Sequence, residues 1–151
     1  MSGAGDGIEA LLPYRMNRGL ARLNRGLTER LRAVGHTFQD WRLLAILWTH
    51  DGATINQLAE AAVLPQPTAS RLAAKLEEDG LVARSGDHGD QRKVVVTLTD
   101  KGRAAYRVML PHAIAEYEAA MAGFTAEERR ALFGAVDRMA ANVGMSYWPE
   151  S

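Results

Sequence analysis

The chain contains no cysteine. Disulfides, thiolate zinc sites, a thiol nucleophile and sensing by thiol oxidation are therefore excluded. Nor is there a surplus of charge, since 18 Lys and Arg face 18 Asp and Glu. Any attraction to nucleic acid must come from how the cations are sorted, not from their sum. No apolar run approaches the roughly 20 residues that cross a bilayer, so no membrane partner is expected. The opening MSGAGDGIEA lacks the basic and apolar segments of an export signal, which leaves a cytoplasmic setting as the expectation. His36, His50, His88 and His112 are scattered, without the i, i+4 pairing of a helical metal site. No nucleophile with a base, paired carboxylates or phosphate-cradling glycine loop is present. An enzyme, a metal and a cofactor are all left out of the expectation.

What is present is helical periodicity. At 151 residues the chain has the size of one domain, spanning 1–151, although a homodimer would bury more surface. Leu12, Met16, Leu20, Leu23, Leu27, Leu31 and Val34 recur at spacings of three and four, predicting a long amphipathic helix over 9–34. Gly35 stops it. Phe38, Trp41, Leu44, Leu47 and Trp48 continue the period in a second helix ending near Asp51-Gly52. Thr54-Ile55-Asn56-Gln57 is a capping box that opens a short helix through Ala62. After a turn around Val63 to Pro65, Pro67 suits the first position of another short helix, with Ala69, Leu72, Ala73 and Leu76 inward. Two short helices joined by a tight turn form a helix-turn-helix.

Leu81 to Arg84 and Lys93 to Thr97 read as two strands around the turn formers Ser85, Gly86, Asp87, Gly89 and Asp90. Thr99 then caps a helix running toward Ala122, with a kink or break expected near Val108 because of Pro111. Thr125-Ala126-Glu127-Glu128 opens a last helix with Leu132, Phe133, Val136, Met139 and Val143 inward. The predicted fold is mainly α with a small β-hairpin.

On the helix from Pro67, Thr68, Arg71 and Lys75 point away from the apolar face, with Gln66 and Ser70 at its start. These types suit DNA. Arginine donates two bonds to guanine, glutamine pairs both ways with adenine, the threonine methyl meets thymine, and lysine neutralises phosphate. A solvated face would look the same in isolation, but the second helix of a helix-turn-helix is where base contacts are made.

Leu76-Glu77-Glu78-Asp79-Gly80-Leu81-Val82-Ala83-Arg84, Asp90-Gln91-Arg92 and Val96-Thr97-Leu98-Thr99-Asp100-Lys101-Gly102 together resemble the winged helix-turn-helix signature of the MarR family of transcriptional regulators. The resemblance extends over most of the chain. It implies a homodimer joined by helices 9–34 and 99–146, with residues 37–98 as the DNA-binding region and two winged units on a pseudo-palindromic operator in double-stranded DNA. It implies that Gln66, Pro67, Thr68, Ser70, Arg71 and Lys75 contact the major groove or its phosphates. Asp90 and Arg92 match the family's Asp-x-Arg wing motif, the arginine entering the minor groove and the aspartate holding the wing in shape. Many relatives carry a second arginine where this chain has Gln91, so a weaker or narrower wing contact is expected.

The resemblance also implies a repressor released by a small aromatic or phenolic carboxylate in a cleft beside the winged unit. Tyr14, Arg18, His36, Trp41 and Arg42 are the cationic and aromatic residues available for such a cleft. Two alternatives stand beside this reading: a winged-helix protein-interaction module without DNA binding, and a DNA-binding regulator without an effector. Arg15, Arg18, Arg22 and Arg25 form a basic stripe that could meet DNA, partner acids or the cleft. Tyr147 and Trp148 either lock the C-terminal tail onto a partner subunit or belong to a frayed end.

Overall fold

The computed structural model describes residues 7–86, 90 and 93–149. After a 3-10 turn at Ile8–Ala10 come α1 (Leu12–Ala33), α2 (Phe38–Thr49), β1 (Ala53–Thr54), α3 (Ile55–Ala61) and α4 (Gln66–Glu78). These are followed by β2 (Val82–Ser85), β3 (Val95–Leu98), α5 (Asp100–Ala120) and α6 (Ala126–Asn142). The result is a mainly helical, winged helix-turn-helix architecture with a small antiparallel sheet.

Local chemistry sets most of the boundaries. α1 ends where Gly35 turns left-handed at φ +83 and the His36 N–H reaches back to the Leu31 carbonyl at 3.0 Å. Reciprocal capping boxes open α2 (Thr37 with Asp40), α3 (Thr54 with Gln57) and α6 (Thr125 with Glu128). Pro67 takes the second position of α4, not the first, because Pro65 is the N-cap. Its missing N–H still falls in the first turn, where no intrahelical bond is lost. In the turn before α4, exposed Val63 has φ +54, which is uncommon for a β-branched residue. The Leu64 N–H bonding to the Ala59 carbonyl at 2.8 Å holds this turn closed.

The sheet has three strands in the order β1-β3-β2, and the expected two-stranded hairpin is therefore incomplete. β1 pairs with β3 through Ala53↔Val96 and Thr54↔Val95, while β2 pairs on the other side from Val82↔Leu98 to Ser85↔Val95. A two-residue strand has no alternation to read; it exists because β3 offers an edge. α5 also departs from expectation, continuing through Pro111 without a break. It packs against both α1 and α2.

Leu27 and Leu31 of α1, Leu43, Leu44 and Leu47 of α2, Leu58, Leu76, Val96 and Met109 form the centre of the core. Buried Ala69 and Ala73 let α4 approach α3 closely. At the α1–α5 crossing, Gly26 is covered by the Glu116 carboxylate, which Arg30 pairs at 2.7 Å. A Cβ at position 26 would overlap that carboxylate.

Among the described residues, apolar faces on α1 and α6 stay uncovered. Leu12, Met16 and Leu20 are exposed on the N-terminal half of α1. On α6, Leu132, Phe133, Met139 and Val143, expected inward, are exposed; Val136 is half-buried and Ala140 is the buried residue of that helix. Those positions share one side of the helix, but the chain does not bury them as the periodicity predicts. The tail after α6 docks on its own chain, where the Trp148 indole stacks on the His50 ring. Among the described residues, no helix is long and apolar enough to cross a membrane.

Candidate nucleic-acid interface

The α4 face opposite Ala69, Ala73 and Leu76 presents Thr68, Arg71 and Lys75 at spacings of three and four, so the three share one side of the helix. Arg71 and Lys75 are exposed, Gln66, Thr68 and Ser70 are half-buried, and Pro67 is exposed at the helix start. Pro65 provides no side-chain cap. The Thr68 and Ala69 N–H groups instead bond to the Pro65 carbonyl oxygen, each at 3.0 Å. Arg71 Nη2 lies 3.5 Å from Thr68 Oγ1, a reach that keeps the guanidinium near the helix start.

The two α4 cations differ. Lys75 Nζ donates to Asp79 Oδ2 at 2.8 Å and lies 3.9 Å from Asp40 Oδ1. The hydrogen bond that Lys75 donates to Asp79 raises the Lys75 pKa, and the same bond holds the Asp79 carboxyl below its usual range. A phosphate contact by Lys75 must therefore displace an acid. Among the described residues, Arg71 is the α4 cation for which no acidic partner is seen.

Two acidic residues that the sequence places only at helix ends tie the unit together. Glu77 accepts from both Arg84 N–H at 3.0 Å and Arg84 Nε at 2.9 Å, which fixes the end of α4 to β2. Asp51 accepts the Leu98 N–H at 2.9 Å and pairs with Arg103, joining the α2 end, β3 and α5. Neither residue carries a periodic or capping signal. Arg92, Gln91 and the remaining turn residues 87–89 lie outside the described residues. Asp90 is half-buried, and its carbonyl oxygen accepts the Lys93 N–H at 2.9 Å.

The five residues proposed for a ligand cleft are not brought together. Tyr14 and Arg18 bond to each other at 3.0 Å on exposed α1. His36 faces Asp40 at 3.9 Å beside a surface pocket of about 540 Å³ that Lys75, Asp79 and Lys101 also line. Arg42 lies over Phe38, and burial lowers its pKa. Trp41 is buried and stacks on Tyr106 at 5.5 Å. Tyr106 also stacks on Trp48 at 4.5 Å, and Arg107 lies over Trp48 at 5.3 Å. Burial raises the Tyr106 pKa, keeping the phenol neutral. Trp48, Tyr106 and Arg107 thus form an aromatic and cationic cluster that sequence order separates by 58 positions between Trp48 and Tyr106. Among the described residues no group of metal-type side chains clusters.

Comparison with known proteins gives a consistent result. A family profile described as the MarR family matches residues 37–94. The crystal structure of a MarR-family transcriptional regulator from Silicibacter pomeroyi is 39% identical, with a TM-score of 0.81, over 95% of this chain and 97% of that one. The HTH-type transcriptional regulator TtmR of Methylorubrum extorquens is 36% identical over 98 residues, 64% of this chain and 48% of that protein. The homoprotocatechuate degradative operon repressor of Escherichia coli is 33% identical over 96 residues, 64% of this chain and 65% of that protein. The chain therefore spans about half to two thirds of these two curated relatives.

Proposed function

The chain belongs to the MarR family of transcriptional regulators, a family of regulators and not of enzymes, and on that premise we propose that it is a homodimeric repressor of a pseudo-palindromic operator. Residues 37–98 form its DNA-binding region, and 9–34 with 99–146 form its dimerisation helices. The uncovered apolar faces support the dimer. A helix that buries one alanine against its own chain gains little from packing, and helices of this length are marginal alone in water. A second copy laying its α6 against the exposed half of α1 would cover Phe133 and Leu20, which are 65% and 55% exposed in one chain.

In this reading Gln66, Pro67, Thr68, Ser70 and Arg71 meet the major groove, Lys75 exchanges Asp79 for a phosphate, and Asp90 shapes a wing whose Arg92 enters the minor groove. The observation that carries it is the exposed guanidinium of Arg71 on the outward face of the second helix of a helix-turn-helix. The test is binding of Arg71→Ala to a palindromic duplex selected by the full chain at fixed salt. A loss of about 5- to 150-fold with an intact dimer is expected for a base-reading arginine. Equal binding by the variant overturns the assignment.

The effector proposed is a small aromatic carboxylate. The Escherichia coli relative is named as the repressor of a homoprotocatechuate degradative operon, and homoprotocatechuate is such an acid. Half-buried Trp48, with the exposed Arg107 guanidinium over it and buried Tyr106 behind it, offers an aromatic face and a cation of the kind such an acid needs, and Arg42 and His36 flank the same winged unit. Tyr14 and Arg18 lie on the exposed half of α1 and would join from the dimer side. A ligand favouring a dimer with mis-spaced α4 helices weakens operator binding by its own preference between the two states.

A further inference from the structure

The tail after α6 ties the far end of that helix to the helix-turn-helix. The Ser146 hydroxyl donates to the Trp148 carbonyl at 2.7 Å and accepts the Trp148 N–H at 3.4 Å, making a tight turn. Tyr147 OH donates to Asp137 Oδ1 at 2.6 Å, which fastens the turn to α6. Beyond it, the Trp148 indole lies on the His50 imidazole with 3.9 Å between ring centres and 9° between planes. Pro149 is buried, and its carbonyl accepts from Gln57 Nε2 at 3.4 Å. Gln57 also accepts the Thr54 N–H through Oε1 at 3.0 Å, so one side chain holds both the start of α3 and the tail.

We propose that Trp148 and His50 are positioning residues for DNA binding, forming a strap that fixes the winged unit relative to α6 and so sets the separation of the two recognition helices. This rests on the dimeric DNA-binding reading above. His50 caps the end of α2 and Gln57 opens α3, the two helices that carry α4. α6 itself buries only Ala140, so its displacement either drags those two helices or breaks the ring stack. A dimer built through α6 therefore transmits its geometry to α4 through the tail. Such pre-organisation favours one half-site spacing over others.

The test uses the full chain, Trp148→Ala, Trp148→Phe and His50→Ala, with a palindromic duplex selected by the full chain and versions whose half-sites are moved by a single base pair. Trp148→Ala and His50→Ala should bind the best-spaced duplex about tenfold more weakly, within the range usual for coupled sites. They should also discriminate less between spacings. Trp148→Phe, which keeps a ring on His50, should restore both. Equal weakening on every spacing would make the tail a merely structural element and overturn the proposal, as would unchanged binding. If the full chain selects no duplex, the DNA reading fails by itself. The strap is then judged by hydrogen exchange across residues 50–58, which Trp148→Ala must accelerate; unchanged exchange there overturns the strap.

Discussion

Alanine at Gly102 should destabilise the protein even though alanine is the better helix former. Gly102 lies in the first turn of α5 with its backbone against the Leu81 carbonyl. A methyl group there overlaps the Leu81 oxygen and comes within 2.9 Å of the Leu81 carbonyl carbon and 3.3 Å of Leu98 Cδ2. The obstacle is backbone at the base of the sheet, so α5 must retreat. That movement strains Thr99 N–H to Leu81 carbonyl at 3.2 Å, Thr99 Oγ1 to Gly80 carbonyl at 2.6 Å and Gly102 N–H to Thr99 Oγ1 at 3.0 Å. Overpacking costs about 1–3 kcal/mol. Loss of the threonine cap adds about 1 kcal/mol. Removing a helical glycine returns about 0.5–1 kcal/mol. The net loss is about 1–3.5 kcal/mol, a large share of the roughly 5–15 kcal/mol that holds a domain folded. Urea unfolding followed by circular dichroism measures it. Exposed Ala104, two residues on, is the reference, because Ala104→Gly should cost only the intrinsic ~1 kcal/mol. A Gly102→Ala midpoint at or above wild type would refute the close approach.

Three other outcomes follow from the same geometry. Phe133→Glu places a charge in the proposed α6 interface, and sedimentation velocity should show monomer at concentrations where the parent is dimeric; a persistent dimer sends the interface elsewhere. Lys75→Ala should make the plot of log affinity against log salt shallower by about 0.9, the value for one phosphate contact, and an unchanged slope removes Lys75 from the DNA. The Asp79 carboxyl, held low by its hydrogen bond from Lys75, should titrate by NMR below an ordinary aspartate, and Lys75→Met should move it up toward the ordinary value. The folded pKa being depressed, this pair's stabilisation is present above the ordinary carboxylate value and fades as pH falls through the depressed one.

Features governed by neighbours in sequence were legible before the fold was known. The Thr54/Gln57 and Thr125/Glu128 boxes sit where they were read, because a capping box needs only four consecutive residues. The Thr37/Asp40 box has the same spacing with an acid shorter than the usual Glu or Gln, which hides it from the sequence pattern. Features made by contact between distant segments were not legible. β1 depends on β3, the link from Glu77 to Arg84 depends on where β2 emerges, and the Trp48–Tyr106 stack depends on how α5 crosses α2. Lys75 illustrates the limit within one helix. Its face and spacing pointed to phosphate, yet Asp79 one turn on already holds its ammonium.

The notch at Gly26 has a kinematic consequence. The Glu116 carboxylate seated in it, with Arg30 closing over the top, indexes α5 against α1 at one residue. Sliding either helix along the other by a turn would drive a side chain into that seat, whereas rocking about it leaves the seat intact. The crossing therefore favours rocking of α5 about the Gly26–Glu116 contact over sliding along α1.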